Sequence, residues 1–233
     1  MVIADKTIDG KACRLYSRGT PRFLLVQMAD GHDPEGMERE VSCLSDMTDA
    51  PFLLAAVAVD DWNSELSPWP GPAVFGREDF QGKAPETLRW LRESALPALR
   101  AEYGLKRGPA VLGGYSLAGL FALWAAHTWN GWAGAAAASP SVWFPGFAEF
   151  AARQPLRAQA VYLSLGDREE KTRNPVMGRV GDCIRTLNAL YDAMPHVQST
   201  LEWNEGNHFR DPDRRTARAF AWVLNRLKAA PAE

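Results

Sequence analysis

The chain has 233 residues, of which 46% are hydrophobic and 23% are charged, and its formal net charge is −2 at pH 7. This length can bury one substantial core, so we expect a single domain over residues 1–233. The nearly balanced charge and the lack of a Lys- and Arg-rich run argue against nucleic acid or a membrane surface as a partner, because both require a concentrated basic face.

The N-terminal segment and the cysteines favour a cytoplasmic protein. MVIADKTIDG becomes polar within five residues and lacks the basic start and apolar run of a secretory signal. No stretch reaches the apolar length of a membrane-spanning helix. Cys13, Cys43 and Cys183 are odd in number and far apart, which fits neither a disulfide framework nor a zinc site. We therefore expect reduced thiols and no bound metal.

Apolar runs with strand character alternate with helical segments along the chain. Strands are predicted over residues 22–30, 52–60, 109–114, 132–139, 160–166 and 198–206. Helices are predicted over residues 35–47, 85–104, 116–127, 176–194 and 211–229. Pro97 should kink the second helix and Gly104 should end it, while Asp211 and Pro212 should begin the last one. This alternation predicts a three-layer α/β domain with a mostly parallel sheet.

A serine lies between a predicted strand and a buried helix in the segment GGYSLAG at residues 113–119. A sharp turn there would lift the Ser116 hydroxyl clear of the backbone, and the helix N-terminus would present free N–H groups to a developing negative charge. Such a turn needs small flanking residues, which Gly114 and Ala118 provide. Ala118 replaces the last glycine of the usual Gly-x-Ser-x-Gly pattern, and we expect it to be tolerated. The context predicts that Ser116 is a nucleophile rather than a simple helix cap.

A serine nucleophile needs a general base, and the chain has four histidines. His208 follows the last predicted strand, which is where a base is placed when a serine turn follows an earlier strand. His127 lies about three helical turns beyond Ser116 and is too distant, so we interpret it as structural. His196 lies in a turn between a helix and a strand, and His32 directly follows the first predicted strand. His208 is therefore the candidate base.

The third member of the site should follow the penultimate strand, where it would orient the imidazole. The segment GDREE offers three carboxylates, Asp167, Glu169 and Glu170. The residues alone do not choose among them, since alternate side chains of a loop can face the same site. We favour Glu169, with Asp167 next and Glu170 last.

Four segments together resemble a known family. GGYSLAGLFALWAA, AAASPSVWFPGF, LGDREE and EGNHF are similar to the esterase family of α/β-hydrolases that includes esterase D-like enzymes, enterochelin (siderophore) esterases and feruloyl-type esterases. The likeness runs from about residue 22 to residue 228. It implies the three-layer α/β-hydrolase fold with a mostly parallel central sheet and a reaction that needs no cofactor.

The resemblance also implies roles for individual residues. Ser116 matches the nucleophile, His208 the base and Glu169 the position of the acid. The backbone N–H of Leu117 would form one half of an oxyanion hole, and that of His32 is the candidate for the other half. These last two roles belong to the main chain and place no demand on the side chains.

The candidate substrate-binding residues are Tyr115, beside the serine, Trp143 and Trp62. Trp143 belongs to the segment SPSVWF, which resembles the lining of the family's substrate pocket. Trp62 belongs to residues 61–84, which are rich in Pro, Gly and aromatic residues and lack periodicity. This loop could form the wall of a pocket, as long loops in compact domains often do, or its aromatic side chains could fill the protein's own core.

These observations predict hydrolysis of a small-molecule ester through an acyl-enzyme on Ser116. An acyltransferase or thioesterase acting through the same residues is one alternative. A non-catalytic binding protein that keeps the fold is another, because a fold alone does not establish an activity. The sequence leaves the identity of the ester and the oligomeric state open.

Overall fold

A computed structural model describes residues 2–30 and 34–229, and these residues form an eight-stranded sheet and a separate two-stranded ribbon. The strands are β1 (Val2–Ile8), β2 (Lys11–Arg18), β3 (Phe23–Ala29), β4 (Phe52–Ala58), β5 (Pro70–Gly71), β6 (Phe80–Gln81), β7 (Ala110–Tyr115), β8 (Gly134–Ala138), β9 (Ala160–Gly166) and β10 (Gln198–Asn204). The order in the large sheet is β1-β2-β4-β3-β7-β8-β9-β10.

The sheet is mostly parallel, as the sequence predicts. From β4 to β10 every neighbouring pair of strands is parallel, whereas β2 runs antiparallel to both β1 and β4. The central strands are continuous apolar runs that are buried along almost their whole length, as expected for strands covered on both faces.

The sequence analysis did not predict the first two strands. They form a hairpin in which Ile8 pairs with Lys11, and the two turn residues, Asp9 and Gly10, have φ values of +44° and +84°. An Asp-Gly pair between extended segments is a strong hairpin signal, because both turn residues must adopt positive φ. The polar residues of β1 obscured the period of the strand.

Helices cover both faces of the sheet and complete the three layers. They are α1 (Pro34–Met47), α2 (Trp62–Glu65), α3 (Ala84–Trp90), α4 (Leu96–Glu102), α5 (Leu117–Thr128), α6 (Phe147–Arg153), α7 (Val180–Asp192) and α8 (Pro212–Ala229). One apolar core contains buried side chains of α3, α5 and α7, and a second core, on the other face, contains those of α1 and α8. The described residues thus have the predicted three-layer α/β architecture. Helix α6 was not predicted.

The expected kink at Pro97 takes the form of a π-helical turn. Residues Leu91–Ala95 form this turn between α3 and α4, and it ends two residues before the proline. Pro97 has no N–H to donate and its ring displaces the carbonyl four residues earlier, so the hydrogen-bonding pattern must change there. Gly104 follows α4 with φ +70°, consistent with the predicted end of the helix.

Two further expectations can be compared with the described part of the chain. None of the helices in it is long and apolar enough to cross a membrane. Cys13, Cys43 and Cys183 are all free thiols, as expected.

Candidate active site

The serine lies at a strained turn between β7 and α5. Ser116 has φ +59° and ψ −120°, a conformation that costs a residue with a side chain on the order of 1–3 kcal/mol. The turn is held by three backbone hydrogen bonds. The N–H of Ser116 donates to the Ala138 carbonyl (3.1 Å), and its own carbonyl accepts from the N–H groups of Leu120 (3.1 Å) and Ser141 (3.0 Å). The surrounding structure therefore fixes the strained serine.

Close packing at this turn explains the small residues in the motif. A Cβ added at Gly114 would lie 2.6 Å from the Cβ of Ala118. A Cβ at Gly119 would lie 3.1 Å from both the Gly114 carbonyl oxygen and Pro140. Ala118 is fully buried, and its methyl group occupies space beside the bare Cα of Gly114. The alanine is therefore accommodated because Gly114 has no side chain.

His208 lies in the loop after β10 and contacts both of its predicted partners. Its Nε2 is 3.0 Å from the Oγ of Ser116, and its Nδ1 is 2.7 Å from Oε2 of Glu169. With the proton on Nδ1, the ring donates to the carboxylate and accepts from the serine hydroxyl. This is the geometry that a general base requires.

Glu169 begins a short 3-10 turn after β9 (Glu169–Lys171) and is buried. While Oε2 faces His208, Oε1 accepts three further hydrogen bonds. The donors are the N–H of Gly166 (2.7 Å), the hydroxyl of Ser139 (2.8 Å) and Nη1 of Arg215 (3.0 Å). Hydrogen bonds to both oxygens therefore fix the carboxylate, and Oε2 is directed at the imidazole.

The other two candidate acids point elsewhere. Asp167 is exposed, and its carboxylate accepts the N–H of Gly206 at 2.8 Å. Glu170 forms an ion pair with Arg185 at 3.0 Å. Among the three candidates, the described structure brings Glu169 to the imidazole.

Arg215 belongs to this cluster and was not singled out from the sequence. It lies in the first turn of α8 and is only 3% exposed. The helical period offers one signal, because the apolar Ala219, four residues further along, marks the same helix face as internal, and the structure shows that Ala219 is fully buried. A charged residue on an internal face requires a partner.

Tyr115 connects the serine turn with the histidine loop. Its hydroxyl donates to the carbonyl of His208 (2.8 Å) and accepts from Nη1 of Arg215 (3.1 Å). Burial raises the pKa of Tyr115 to about 12, so the phenol stays neutral and keeps the proton that it donates. The sequence analysis predicted a substrate-binding role for this residue, and its polar end is already engaged by the protein.

Some aromatic residues of the candidate pocket are buried in the core, and others are exposed at the surface. Trp143 follows Ser141, whose hydroxyl lies 3.3 Å from that of Ser116, and its ring centroid is 6.1 Å from that of Phe75 and 6.3 Å from that of Phe80. Phe80 is buried, whereas Phe75 is 40% exposed. The 61–84 loop therefore fills part of the core and also presents an aromatic surface beside Trp143.

Trp62, at the start of α2, lines a different space. It borders a cavity of about 360 Å³, together with Tyr115 and residues of β3, α1 and the start of α8. Gln27 and Glu40 extend into this lining and are almost wholly buried. The Nε2 of Gln27 donates to Oε2 of Glu40 at 3.1 Å, and burial raises the pKa of Glu40 to about 8. The cavity thus carries a second buried carboxyl group near the serine turn.

The two predicted oxyanion donors differ in what the structure describes. Leu117 is the first residue of α5, so no carbonyl of that helix can accept its N–H, and a group in this position can donate to an oxyanion. His32 lies outside the described residues.

The remaining histidines have structural partners. His127 is buried, with Nε2 3.1 Å from the hydroxyl of Tyr191 and Nδ1 3.2 Å from the carbonyl of Gln154. Burial lowers its pKa to about 4, which keeps the ring neutral. The Nε2 of His196 is 2.9 Å from the carbonyl of Leu156. Within the described residues, no group of three or more His, Cys, Asp or Glu side chains could hold a metal ion.

The strand order, the helices on both faces and the serine turn after β7 define the α/β-hydrolase fold. No family model matches the chain, and no curated protein matches it. The chain is similar in structure to an IroE-like serine hydrolase from Shewanella oneidensis, with a TM-score of 0.80 and 12% identity over 100% of this chain and 82% of that one.

Two further solved structures share the fold. The siderophore hydrolase EstA from Aspergillus nidulans has a TM-score of 0.70 and 18% identity, over 98% of this chain and 95% of that one. The enterobactin esterase FES from Shigella flexneri has a TM-score of 0.68 and 13% identity, over 97% of this chain and 59% of that one.

Proposed function

We propose that this protein is a serine hydrolase that cleaves a carboxylic ester through an acyl-enzyme on Ser116. The observation that carries the proposal is the continuous hydrogen-bonded series from Ser116 to His208 (3.0 Å) and from His208 to Glu169 (2.7 Å). A serine hydroxyl is a weak nucleophile at neutral pH, and this series supplies the base and the orienting anion that would activate it.

The reaction would proceed in two halves. His208 takes the proton of Ser116 as Oγ attacks the ester carbonyl, and the N–H of Leu117 stabilises the resulting oxyanion. As the intermediate collapses, the C–O bond to the alcohol breaks and His208 returns the proton to the departing oxygen. Water, deprotonated by His208, then attacks the acyl-enzyme, and the acid is released as Ser116 regains its proton. The His32 N–H remains our prediction for the second oxyanion donor.

Glu169 would act on the imidazole rather than on the substrate. It accepts the Nδ1 proton, which presents the lone pair of Nε2 to Ser116, and its negative charge stabilises the imidazolium that forms in each half-reaction. Its burial strengthens this interaction, because few water molecules are available to screen it.

The aromatic residues beside the serine suggest the kind of ester. Trp143 and the exposed ring of Phe75 would contact an apolar or aromatic part of the substrate, since such rings pack well against one another. The similar structures include proteins described as siderophore hydrolases, and we propose a small-molecule ester of this general kind. We also propose that the protein acts in the cytoplasm, as the odd number of widely spaced cysteines favours.

Covalent labelling tests the proposal. We expect a fluorophosphonate to modify the wild-type protein once, at Ser116, and short p-nitrophenyl esters to be hydrolysed. Ser116→Ala should lose both properties. Ser141→Ala is the matched control, because it removes a hydroxyl only 3.3 Å away, and it should still be labelled. Failure of the wild type to react, or labelling and hydrolysis that persist in Ser116→Ala, would refute the proposal.

The same assay separates the alternative functions. Efficient transfer of the acyl group to an added alcohol or amine would indicate an acyltransferase, and a preference for thioesters over oxygen esters would indicate a thioesterase. A wild-type protein that neither reacts with the phosphonate nor hydrolyses any ester would be a non-catalytic binding protein.

A further inference from the structure

We propose that Arg215 is a positioning residue that fixes the acid and the base of the active site relative to each other, an inference that rests on the proposed function. Arg215 is 3% exposed, and its Nη1 lies 3.0 Å from Oε1 of Glu169. A buried guanidinium without a partner would be strongly destabilising, so its placement requires the surrounding acceptors.

The guanidinium lies within hydrogen-bonding distance of residues at or just after the ends of four strands. Its Nη1 is within hydrogen-bonding distance of the Tyr115 hydroxyl (3.1 Å), the Ser139 hydroxyl (3.2 Å) and Glu169, while Nη2 donates to the Glu205 carbonyl (3.1 Å). Tyr115 ends β7, and the other three residues follow β8, β9 and β10 in turn. Arginine suits this task because its planar fork donates in several fixed directions, whereas a lysine ammonium is a single point of charge.

The contact with Tyr115 extends the effect to the base. The same phenol that accepts from Arg215 donates to the main-chain carbonyl of His208. The guanidinium therefore holds Glu169 directly and the backbone of His208 through one intervening side chain. One group on α8 therefore helps to place both partners of the 2.7 Å contact between carboxylate and imidazole.

The positive charge of Arg215 also offsets part of the negative charge that Glu169 presents to His208. Among the described residues, the charged and titratable side chains around the imidazole are Glu169 from the loop after β9, Tyr115 from the end of β7 and, behind them, Arg215. Without the guanidinium, Glu169 would keep the hydrogen bonds from Gly166 and Ser139. The negative field of Glu169 at His208 would then be less compensated, which stabilises the imidazolium relative to the neutral, reactive imidazole.

The test measures the pH dependence of kcat and of kcat/KM for ester hydrolysis in Arg215→Met and Arg215→Lys. We expect Arg215→Met to lower kcat by about 10- to 100-fold with little change in KM, because misplacement of reacting groups has effects of this size. The acidic limb of its profile should also move to higher pH. Arg215→Lys keeps the charge and loses the fork, so it should lower kcat by a smaller factor while the acidic limb stays at its wild-type position.

Arg218→Met is the matched control, because it removes another arginine of α8 that pairs with a glutamate, Glu202, away from the imidazole. Its kcat and pH profile should match those of the wild type.

An active Arg215→Met protein with a kcat within twofold of the wild type, or with an unshifted acidic limb, would overturn the positioning role and leave the proposed function intact. If Arg215→Met does not fold, Arg215→Lys decides: a kcat equal to that of the wild type, or a shifted limb, would overturn the inference. A wild-type protein that hydrolyses no ester would overturn both proposals.

Discussion

Two buried glutamates, Glu169 in the loop after β9 and Glu40 on α1, show how differently the protein supports a carboxyl group. Both Glu169 and Glu40 are less than 10% exposed. Glu169 receives hydrogen bonds from a backbone N–H, a hydroxyl and a guanidinium, and it faces an imidazole. Glu40 receives one from Gln27, and its Oε1 has no partner within the described part of the chain.

The donors around a buried carboxyl group decide what that group can do. Desolvation disfavours a buried carboxylate unless hydrogen bonds or opposite charges stabilise it. Around Glu169 these are present, so it can serve as the anionic partner of a histidine. Around Glu40 burial dominates and raises the pKa to about 8, so this side chain is largely a neutral acid at neutral pH. Depth of burial alone would not separate the two.

Neutralising Glu169 and Glu40 in turn should have very different effects on ester hydrolysis. We expect Glu169→Gln to lower kcat by about 10³-fold or more, because an amide holds the histidine poorly and cannot stabilise the imidazolium. Glu40→Gln should change kcat by less than a few-fold. Steady-state kinetics on a p-nitrophenyl ester would measure both effects.

Asp167→Asn is the matched control within the same loop, since Asp167 is exposed and bonds to a backbone N–H rather than to the histidine. It should retain most of the activity. Equal losses for Asp167→Asn and Glu169→Gln, or a larger loss for Glu40→Gln, would mean that the acid has been wrongly assigned.

The dependence of stability on pH provides a second test of the difference between Glu40 and Glu169. The pKa of Glu40 is raised in the folded protein, to about 8 from an ordinary value of 4.5, so the folded state binds a proton more tightly than the unfolded state. The stability contributed by this group is complete below about pH 4.5 and is lost as the pH rises toward 8. Glu40→Gln keeps a neutral side chain of similar size and removes this loss.

We therefore expect the free energy of unfolding of the wild type to fall, relative to that of Glu40→Gln, by a few kcal/mol between pH 5 and pH 8, since each unit of pKa difference is worth about 1.4 kcal/mol. Urea unfolding of both proteins across this range would measure the difference. A constant difference between the two proteins would show that Glu40 is equally protonated in the folded and unfolded states, and the contrast with Glu169 would not hold.

The sequence predicted the parts of this arrangement that follow from hydrophobic pattern and chain order. Continuous apolar runs marked the central strands such as β4 and β9, and the position of Ser116 after one strand end and of His208 after another placed them at the same edge of a parallel sheet. The structure brings these two residues together at 3.0 Å. Their relation was predictable because it depends on topology rather than on the details of a loop.

The supporting residues could not be predicted in the same way. Arg215 and Glu40 each occupy the internal face of an amphipathic helix whose outer face is also charged, so their identity alone does not distinguish them from surface residues. The sequence favoured Glu169 over Asp167 without deciding between them, because the direction of each side chain depends on the 3-10 turn that begins at Glu169. Such contacts arise from packing between elements that are distant in sequence.

A weaker effect is expected from the hydrogen bond that Gln27 donates to Glu40. The bond from Gln27 Nε2 favours the ionised carboxylate and opposes the effect of burial on the pKa of Glu40. Gln27→Met removes this donor and fills a similar volume with an apolar side chain, so the pKa of Glu40 should rise further. The loss of stability should then occur at a higher pH than in the wild type, with kcat unchanged.

Urea unfolding from pH 6 to pH 10 would show this displacement, with Gln27→Met/Glu40→Gln as the control that should lack it. An unchanged or lower midpoint would mean that Gln27 does not stabilise the charged form and that a different donor reaches Glu40.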